Sequence, residues 1–182
     1  MPIAATVNDT IFCVHGGLSP SISDLSEVEA IEKPIPDLSC SIASDLLWSD
    51  PAESDKLFEK STRGVGYLFN TDAIAQFLED NQLKHIIRAH EFCENGFKWI
   101  DDDCLTVFSS FDYMGRKNDA AVAVVNGNDV TAVVLKKALN SAFTRLLMPE
   151  WLISGEESAM KAPVSDEIIT DSVGLDTHLI VL

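Results

Sequence analysis

The chain has 182 residues, of which 46% are hydrophobic, and 29 acidic against 13 basic residues give it a formal net charge of -16. This length and apolar content suit one globular domain with a hydrophobic core and exclude a disordered acidic tail. The negative charge argues against nucleic acid as a partner, because a polyanion would be repelled. The acidity fits either basic protein partners or simple solubility.

The four cysteines are too few for a disulfide framework, and no two have the spacing of a zinc knuckle: Cys13, Cys40, Cys93 and Cys104. We therefore expect reduced thiols and a cytoplasmic or nuclear location. The apolar stretches are short, and no basic segment leads into a long apolar one at the N-terminus. We expect neither a membrane span nor a signal peptide, and no membrane partner.

The first half of the chain mixes strand and helix signals. The β-prone run Thr10 to His15 ends at two glycines, so it places His15 at the C-terminal end of a strand. A helix is predicted within Ile22 to Ile31, capped by Ser23 or Asp24. Asp45 to Trp48 is a short apolar stretch before a turn. The clearest helix is Thr71 to Asn81, with Thr71 or Asp72 as its predicted N-cap.

The second half is rich in strand signals, at Lys84 to His90, Gly96 to Ile100, Cys104 to Ser109, Ala120 to Val125, and Val130 to Leu135. The last two flank Asn126-Gly127-Asn128, which predicts a hairpin. Beyond them, Lys136 to Leu147 is compatible with an amphipathic helix. Ser154 to Leu182 lacks periodicity and is interpreted as an extension, whose apolar end is able to dock on the core.

The histidines differ in their setting. His15 stands beside two glycines, where a ligand can approach the backbone closely; the alternative is a histidine satisfied within the turn. His90 also closes a strand. Alternation along that strand puts His85 on the opposite face from His90, so the two are not ligands together. We interpret His85 as structural and His178 as a surface residue.

Four further features have competing interpretations. Arg63 lies in a glycine-punctuated loop, which suits a donor to phosphate or carboxylate as well as a solvated side chain. Tyr113 follows an apolar strand, near a sheet edge where ligand sites often lie. Cys13 is interpreted as a core thiol because apolar flanks raise a thiol's pKa. Asp101 to Asp103 is interpreted as a solvated turn, not a metal site.

Five motifs in order resemble the PPP-type serine/threonine phosphatases: Ile11-Phe12-Cys13-Val14-His15-Gly16-Gly17-Leu18-Ser19-Pro20, Asp45-Leu46-Leu47-Trp48-Ser49-Asp50-Pro51, Arg63-Gly64-Val65, Arg88-Ala89-His90, and Tyr113-x-Gly115. The resemblance runs from about Met1 to about Leu139. It divides the chain into residues 1–139, the C-terminal portion of a phosphatase catalytic domain, and residues 140–182, a C-terminal extension.

The resemblance implies an α/β (α+β) fold, namely a metallophosphoesterase-type β-sandwich flanked by helices, here only its C-terminal part. It implies a pair of divalent metal ions, manganese or iron and zinc, that activate a water for attack on phosphoserine or phosphothreonine. Phosphoproteins are the implied substrates, and regulatory subunits are further candidate partners. The implied site residues are His15 and His90 as metal ligands, Arg63 and Tyr113 as substrate-binding residues, and Asp50 and Arg88 as supporting residues.

The sequence also departs from the family. The motifs GDxHG, GDxVDRG and GNHE, which supply the other metal ligands, a second phosphate-binding arginine and the general-acid histidine, do not occur in it. We therefore expect no catalytic general acid here, no dinuclear site held by this chain alone, and an inactive isolated chain. The family's Asp, Ser, Asn and Glu are replaced by Thr62, Gly66, Asp112 and Arg116.

Three hypotheses follow. In the first, the chain is part of a true phosphatase whose N-terminal half lies outside this sequence. In the second, it is a catalytically inactive pseudophosphatase fragment that acts as a protein-binding module. In the third, it does not fold alone, because half a sandwich leaves unpaired strand edges and an exposed apolar face.

Overall fold

A computed structural model of the chain describes residues 2–35, 41–135 and 177–180. The predicted helix at 136–147, the domain boundary at residue 139 and most of the extension lie outside these residues. In chain order the described elements are β1 (Ala4–Val7), β2 (Ile11–Val14), α1 (Leu25–Glu29), α2 (Ile42–Trp48), β3 (Asp50–Pro51), β4 (Phe58–Lys60), β5 (Tyr67–Phe69), α3 (Thr71–Asp80), β6 (His85–Arg88), β7 (Phe97–Ile100), β8 (Cys104–Val107), a 3-10 turn (Tyr113–Gly115), β9 (Ala120–Asn126), β10 (Asp129–Leu135) and β11 (Thr177–Ile180).

The strands form three sheets. The largest has the order β1-β2-β6-β8-β7, in which β2, β6 and β8 are parallel and the two edge strands are antiparallel to their neighbours. A second sheet, β10-β9-β11, is antiparallel throughout. A third small sheet has the order β3-β5-β4. The predicted hairpin is confirmed as β9 and β10.

The five-stranded sheet is covered on both faces. Because side chains alternate along a strand, Phe12 and Ile86 point to one face while Ile11 and Ile87 point to the other. The first face packs against α2 and α3, and the second packs against β9 and β10. Each of these fully buried side chains contributes roughly 1.5 to 3 kcal/mol by leaving water. The predicted α/β β-sandwich flanked by helices is confirmed.

Local capping explains where two helices begin. Asp24, one of the two predicted caps of α1, accepts from Ser26 N, while Glu27 Oε2 accepts from Asp24 N, which completes a capping box. The predicted N-cap of α3, Thr71 or Asp72, is wrong. Asn70 has the extended backbone of a cap, and its side chain accepts from Ala73 N at 2.9 Å.

Two features went beyond the sequence prediction. The short apolar stretch ending at Trp48 is the second half of α2, which begins at Ile42 after the cap Ser41. The apolar end of the extension contributes β11, which pairs with β9 so that Leu179 stands opposite Val124.

In the described part of the chain, no helix has the length and apolar character needed to cross a membrane.

Candidate metal and phosphate-binding site

His15 and His90 lie side by side at one end of the five-stranded sheet, just beyond the C-terminal ends of two adjacent strands. His15 follows β2, His90 follows β6 two residues after its end, and the two strands are parallel neighbours. The C-terminal ends of adjacent parallel strands lie at the same end of a sheet, so the two imidazoles come close together. Ala89 N donates to His15 O over 3.0 Å and ties the two strand ends together. His15 Nε2 and His90 Nδ1 are 3.3 Å apart.

The backbone of His90 is unusual. Its φ of 64° is in the left-handed region, which residues with a Cβ seldom adopt. The period-two alternation that we applied to Lys84–His90 therefore ends with the strand at Arg88. Such strain concentrates at functional sites, where the surrounding structure holds a side chain in a required direction.

Burial keeps both imidazoles neutral. Desolvation lowers the pKa of His15, and the cation of Arg88 lowers it further. Desolvation also lowers the pKa of His90, although the Asp50 carboxylate opposes this shift. Neutral imidazole is the form that binds a metal ion, because the lone pair of the ring nitrogen must be available.

The histidine pair fits two ligand positions of one divalent ion. Ligand nitrogens about 2.1 Å from a metal, at tetrahedral or octahedral angles, are roughly 3.0 to 3.4 Å apart, which brackets the 3.3 Å separation. In the described ranges no group of three or more His, Cys, Asp or Glu side chains could hold a metal. His15 and His90 therefore supply two ligands and not a complete coordination shell.

Asp50 connects the histidines to two arginines. Arg63 Nε donates to Asp50 Oδ2 over 2.7 Å, and Arg88 Nη2 donates to Asp50 Oδ1 over 2.8 Å. The same Oδ1 lies 3.9 Å from His90 Nε2, a buried nitrogen with no hydrogen-bond partner among the described residues. The Arg63 side chain is 45% exposed, and Nε is its one ion-paired atom in the described ranges. The other two guanidinium nitrogens, Nη1 and Nη2, can thus donate hydrogen bonds to an anion.

Arg88 is fully buried and joins four parts of the chain. Besides Asp50, it donates to Glu91 Oε2 at 2.7 Å, to Thr106 Oγ1 at 3.3 Å and to the carbonyl of Gly16. A buried guanidinium is tolerated only when carboxylates and carbonyls satisfy it. Arg88 therefore holds the loop after β2, the start of β3, and strands β6 and β8 in register around the histidines.

Tyr113 belongs to an aromatic cluster near the same end of the sheet. Its ring centroid is 5.2 Å from that of Phe108 and 6.4 Å from that of Phe92, which follows His90 by two residues. The loop turns sharply because Asp112 and Met114 both have positive φ. Tyr113 is 43% exposed, so part of the residue is open to a ligand.

The remaining candidates lie elsewhere. His85 begins β6, at the opposite end from His90, and its ring contacts Trp99. His178 is in β11, with Nε2 3.2 Å from Asn8 Oδ1. Cys13 is buried, and desolvation raises its pKa to about 11, as expected of a core thiol. Asp101 to Asp103 form the turn between β7 and β8, as predicted.

The sequence model of the calcineurin-like phosphoesterase family matches residues 1–94, which include His15, Asp50, Arg63 and His90. This match extends over more than half of the chain. The chain belongs to the calcineurin-like phosphoesterase family. The predicted relationship to metallophosphoesterases is thereby confirmed, and the family implies divalent metal ions. The individual roles of the four site residues stay predictions.

Relatives of this calcineurin-like phosphoesterase are serine/threonine-protein phosphatases. The chain is 38% identical over 130 residues to a protein phosphatase 2A catalytic subunit of Dictyostelium discoideum, covering 69% of the chain and 41% of that protein. It is 40% identical over 122 residues to the PP2A-like phosphatase PPG1 of Candida albicans, covering 66% and 29%. It is 36% identical over 155 residues to phosphatase BSL2 of Arabidopsis thaliana, covering 82% and 15%.

A solved structure agrees with this fold. It is a protein serine/threonine phosphatase from Saccharomyces cerevisiae with similarity to human phosphatase PP5, and it matches with a TM-score of 0.63 at 25% identity. The match covers 78% of the chain and 49% of that structure. The chain thus spans less than half the length of each relative named here.

Sequence reasoning did not single out two residues of this calcineurin-like phosphoesterase. The Trp48 ring meets His90 edge-on, with centroids 5.2 Å apart, and Glu91 is a counter-ion of Arg88. A signal existed for each: Trp48 belongs to the motif that contains Asp50, and Glu91 is adjacent to His90. Their contacts arise between distant segments, so spacing along the chain did not reveal them.

Proposed function

We propose that the protein is a metal-dependent serine/threonine-protein phosphatase and that this chain provides one side of its active site. The observation that carries the proposal is the convergence of His15 Nε2 and His90 Nδ1 at 3.3 Å, beside the Asp50 carboxylate that holds Arg63. The kinship with three serine/threonine-protein phosphatases supports it.

Each residue has a distinct part in this proposal. His15 and His90 hold one divalent ion; when bound, such an ion polarises a phosphoryl oxygen and makes a bound water a nucleophile at neutral pH. Arg63 binds the phosphate through its outer nitrogens, while Asp50 fixes the guanidinium by accepting from Nε. Tyr113 borders the bound phosphopeptide.

Metal binding tests the ligand assignment directly. We propose manganese, or iron and zinc, as the ions. Isothermal titration of the chain with Mn²⁺ or Zn²⁺ should give binding that His15→Ala and His90→Ala each weaken by about tenfold or more. His85→Ala and His178→Ala serve as matched controls and should leave binding unchanged. Equal loss in the control variants would contradict the assignment.

We propose phosphoproteins as substrates and regulatory subunits as partners. The Dictyostelium relative is itself described as a catalytic subunit, which supports a partner-bound enzyme. The test of activity is release of inorganic phosphate from phosphoserine and phosphothreonine peptides, in the presence of Mn²⁺, by a protein that contains this chain together with the other side of the active site. Activity that persists in His90→Ala would refute the proposed mechanism.

A second candidate function is an inactive, protein-binding pseudophosphatase. It is favoured by the replacement of two family residues in the Tyr113 loop, where Asp112 and Arg116 stand instead of Asn and Glu. Stoichiometric metal together with phosphopeptide hydrolysis would exclude it. Metal-free chain that still captures a phosphatase regulatory subunit in a purified mixture would support it.

We also propose a cytoplasmic or nuclear location. Three cysteines in the described ranges, Cys13, Cys93 and Cys104, are buried free thiols, which suits a reducing compartment. Fluorescence imaging of a tagged chain tests the proposal, and a signal confined to the secretory pathway would contradict it.

A further inference from the structure

Arg116 is held over an aromatic ring beside Tyr113. Its guanidinium carbon lies 4.7 Å from the centroid of the Phe92 ring, in the geometry of a cation–π contact. The Phe92 ring in turn contacts Phe108 at 5.5 Å and Tyr113 at 6.4 Å. The guanidinium therefore rests on a packed platform and does not extend freely into solvent.

The charge of Arg116 is available to a ligand. The residue is exposed, and no Asp or Glu in the described ranges forms an ion pair with it. A cation–π contact occupies one face of the guanidinium plane and leaves the N–H groups at its edge free to donate. Such cations are in the minority in this chain, which has 13 basic against 29 acidic residues.

The platform links Arg116 to the candidate site. Phe92 follows the ligand candidate His90 by two residues, and Tyr113 is the residue predicted to line the substrate site. A peptide whose phosphate meets Arg63 would reach Arg116 by extending along the aromatic cluster of Phe92, Phe108 and Tyr113. Arg63 itself is committed to Asp50 through Nε, which leaves Arg116 as a separate cation for a second anionic group.

We propose that Arg116 is a specificity-determining residue, which selects phosphopeptides that carry an acidic residue close to the phosphorylated serine or threonine. The proposal rests on the proposed phosphatase function and names the substrate class of that same site. An acidic side chain accepts charge-assisted hydrogen bonds from the guanidinium edge. Peptides without it gain nothing there, while the net charge of -16 on the whole chain opposes the approach of acidic peptides in general.

Binding of short phosphopeptides to the full chain tests the inference. The probes are fluorescein-labelled phosphoserine peptides of one length with Glu or Ala at the flanking positions, in two sets that change the N-terminal or the C-terminal flank. Fluorescence anisotropy in the presence of Mn²⁺ should show one Glu-containing set binding about threefold to tenfold more tightly than its Ala counterpart, a range set by an exposed but oriented ion pair. Dephosphorylated peptides establish the background.

Three variants distinguish the effect of Arg116 on the preference for Glu from an effect of net charge. Arg116→Ala should abolish the preference for Glu, and Arg116→Lys should retain part of it, because lysine keeps the charge but not the planar stacking on Phe92. Lys117→Ala is the matched control, since it removes a neighbouring exposed cation, and it should keep the preference. Raising the salt concentration should shrink the preference in the unmodified chain.

The outcomes distinguish this inference from the proposed function. Phosphopeptides that bind with equal affinity whatever their flanks overturn the inference and leave the phosphatase proposal standing. Loss of the preference in Lys117→Ala as well as in Arg116→Ala also overturns it, because the effect is then one of net charge. Absence of any phosphate-dependent binding overturns both.

Discussion

Arg88 and Asp50 form a buried ion pair, in which Nη2 of the fully buried arginine lies 2.8 Å from Oδ1 of the carboxylate. The same carboxylate accepts from Arg63, whose side chain reaches the surface. Asp50 thus connects the buried Arg88 to Arg63, the residue predicted to bind phosphate. Its two oxygens serve different arginines, so a substitution of Asp50 removes both bonds at once.

Removal of the Asp50 carboxylate should destabilise the protein strongly. Asp50→Ala leaves Arg88 buried with one of its two carboxylate partners gone, and breaking such a pair costs about 3 to 5 kcal/mol. Urea unfolding followed by circular dichroism measures the change. Asp102→Ala, in the exposed turn between β7 and β8, is the control and should change stability by less than about 0.5 kcal/mol. A loss at Asp50 no larger than at Asp102 would contradict the role given to this pair.

Arg63→Ala should separate stability from binding. Its ion pair with Asp50 is partly exposed and screened by water, so the free energy of unfolding should fall by about 1 kcal/mol or less. Binding of inorganic phosphate should weaken by about tenfold or more, because charge-assisted hydrogen bonds are lost. Arg63→Lys should restore the charge but only part of the affinity. Unchanged phosphate binding in Arg63→Ala would refute the predicted clamp.

Gly16→Ala should disrupt the turn that presents His15. A Cβ at this position would lie 2.5 Å from the carbonyl carbon of Leu47 and 2.6 Å from Trp48 N, which are backbone atoms that cannot rotate away. We expect a loss of about 3 kcal/mol or more in the free energy of unfolding.

Gly64→Ala is the matched control for that turn. Apart from Gly64 itself and its two chain neighbours, no described residue has an atom within 4 Å of the added Cβ, so only the positive φ of 81° opposes the change, at about 1 kcal/mol. Thermal melts of both variants make the comparison. If Gly16→Ala is as stable as Gly64→Ala, the close approach of the turn to α2 is not as described.

The thiol of Cys13 should resist alkylation in the folded protein. Desolvation raises its pKa to about 11, so at pH 8 it is buried and protonated, and only the thiolate reacts. Iodoacetamide labelling followed by peptide mass spectrometry should modify Cys13 in urea but not in buffer. Rapid labelling in buffer would show that the strand β2 is open to solvent.

The same pKa predicts how stability depends on pH. The folded pKa is above the unfolded value, so the contribution of this thiol is present below about pH 8.5 and is lost as the pH rises through about 11. The urea concentration at the midpoint of unfolding should therefore decrease as the pH is raised from 8 to 10.5. In Cys13→Ala this decrease should be smaller. An equal decrease in both would assign the effect to other groups.

The C-terminal strand β11 should contribute measurable stability. Ile180 packs against the apolar cluster between the two sheets, while β11 pairs with β9. Ile180→Ala should lower the free energy of unfolding by about 1 to 2 kcal/mol, less than a fully buried isoleucine, because Ile180 is partly exposed. Val133→Ala, at an exposed position of β10, should have a smaller effect. Equal effects would mean that β11 does not dock.

Much of the fold was predictable because its signals are local. Strand signals in the sequence predicted β6 and β8, the turn residues after Val125 predicted the β9–β10 hairpin, and periodicity predicted α3. The N-cap of α3 was wrong because several polar residues precede that helix and only the backbone of Asn70 is extended. The docking place of β11 was open, because four apolar residues at a chain end do not specify a strand partner.

The sequence by itself determined the kinship of this protein and the strand that presents His15, since the order of the motifs and a β-prone run that ends at two glycines are properties of the chain alone. The tertiary structure decided what those residues do to one another. It brought His15 within 3.3 Å of His90, joined Asp50 to two arginines and placed Arg116 on Phe92. These contacts join segments far apart in sequence, and their distances depend on sheet register and on burial, which no spacing of residues encodes.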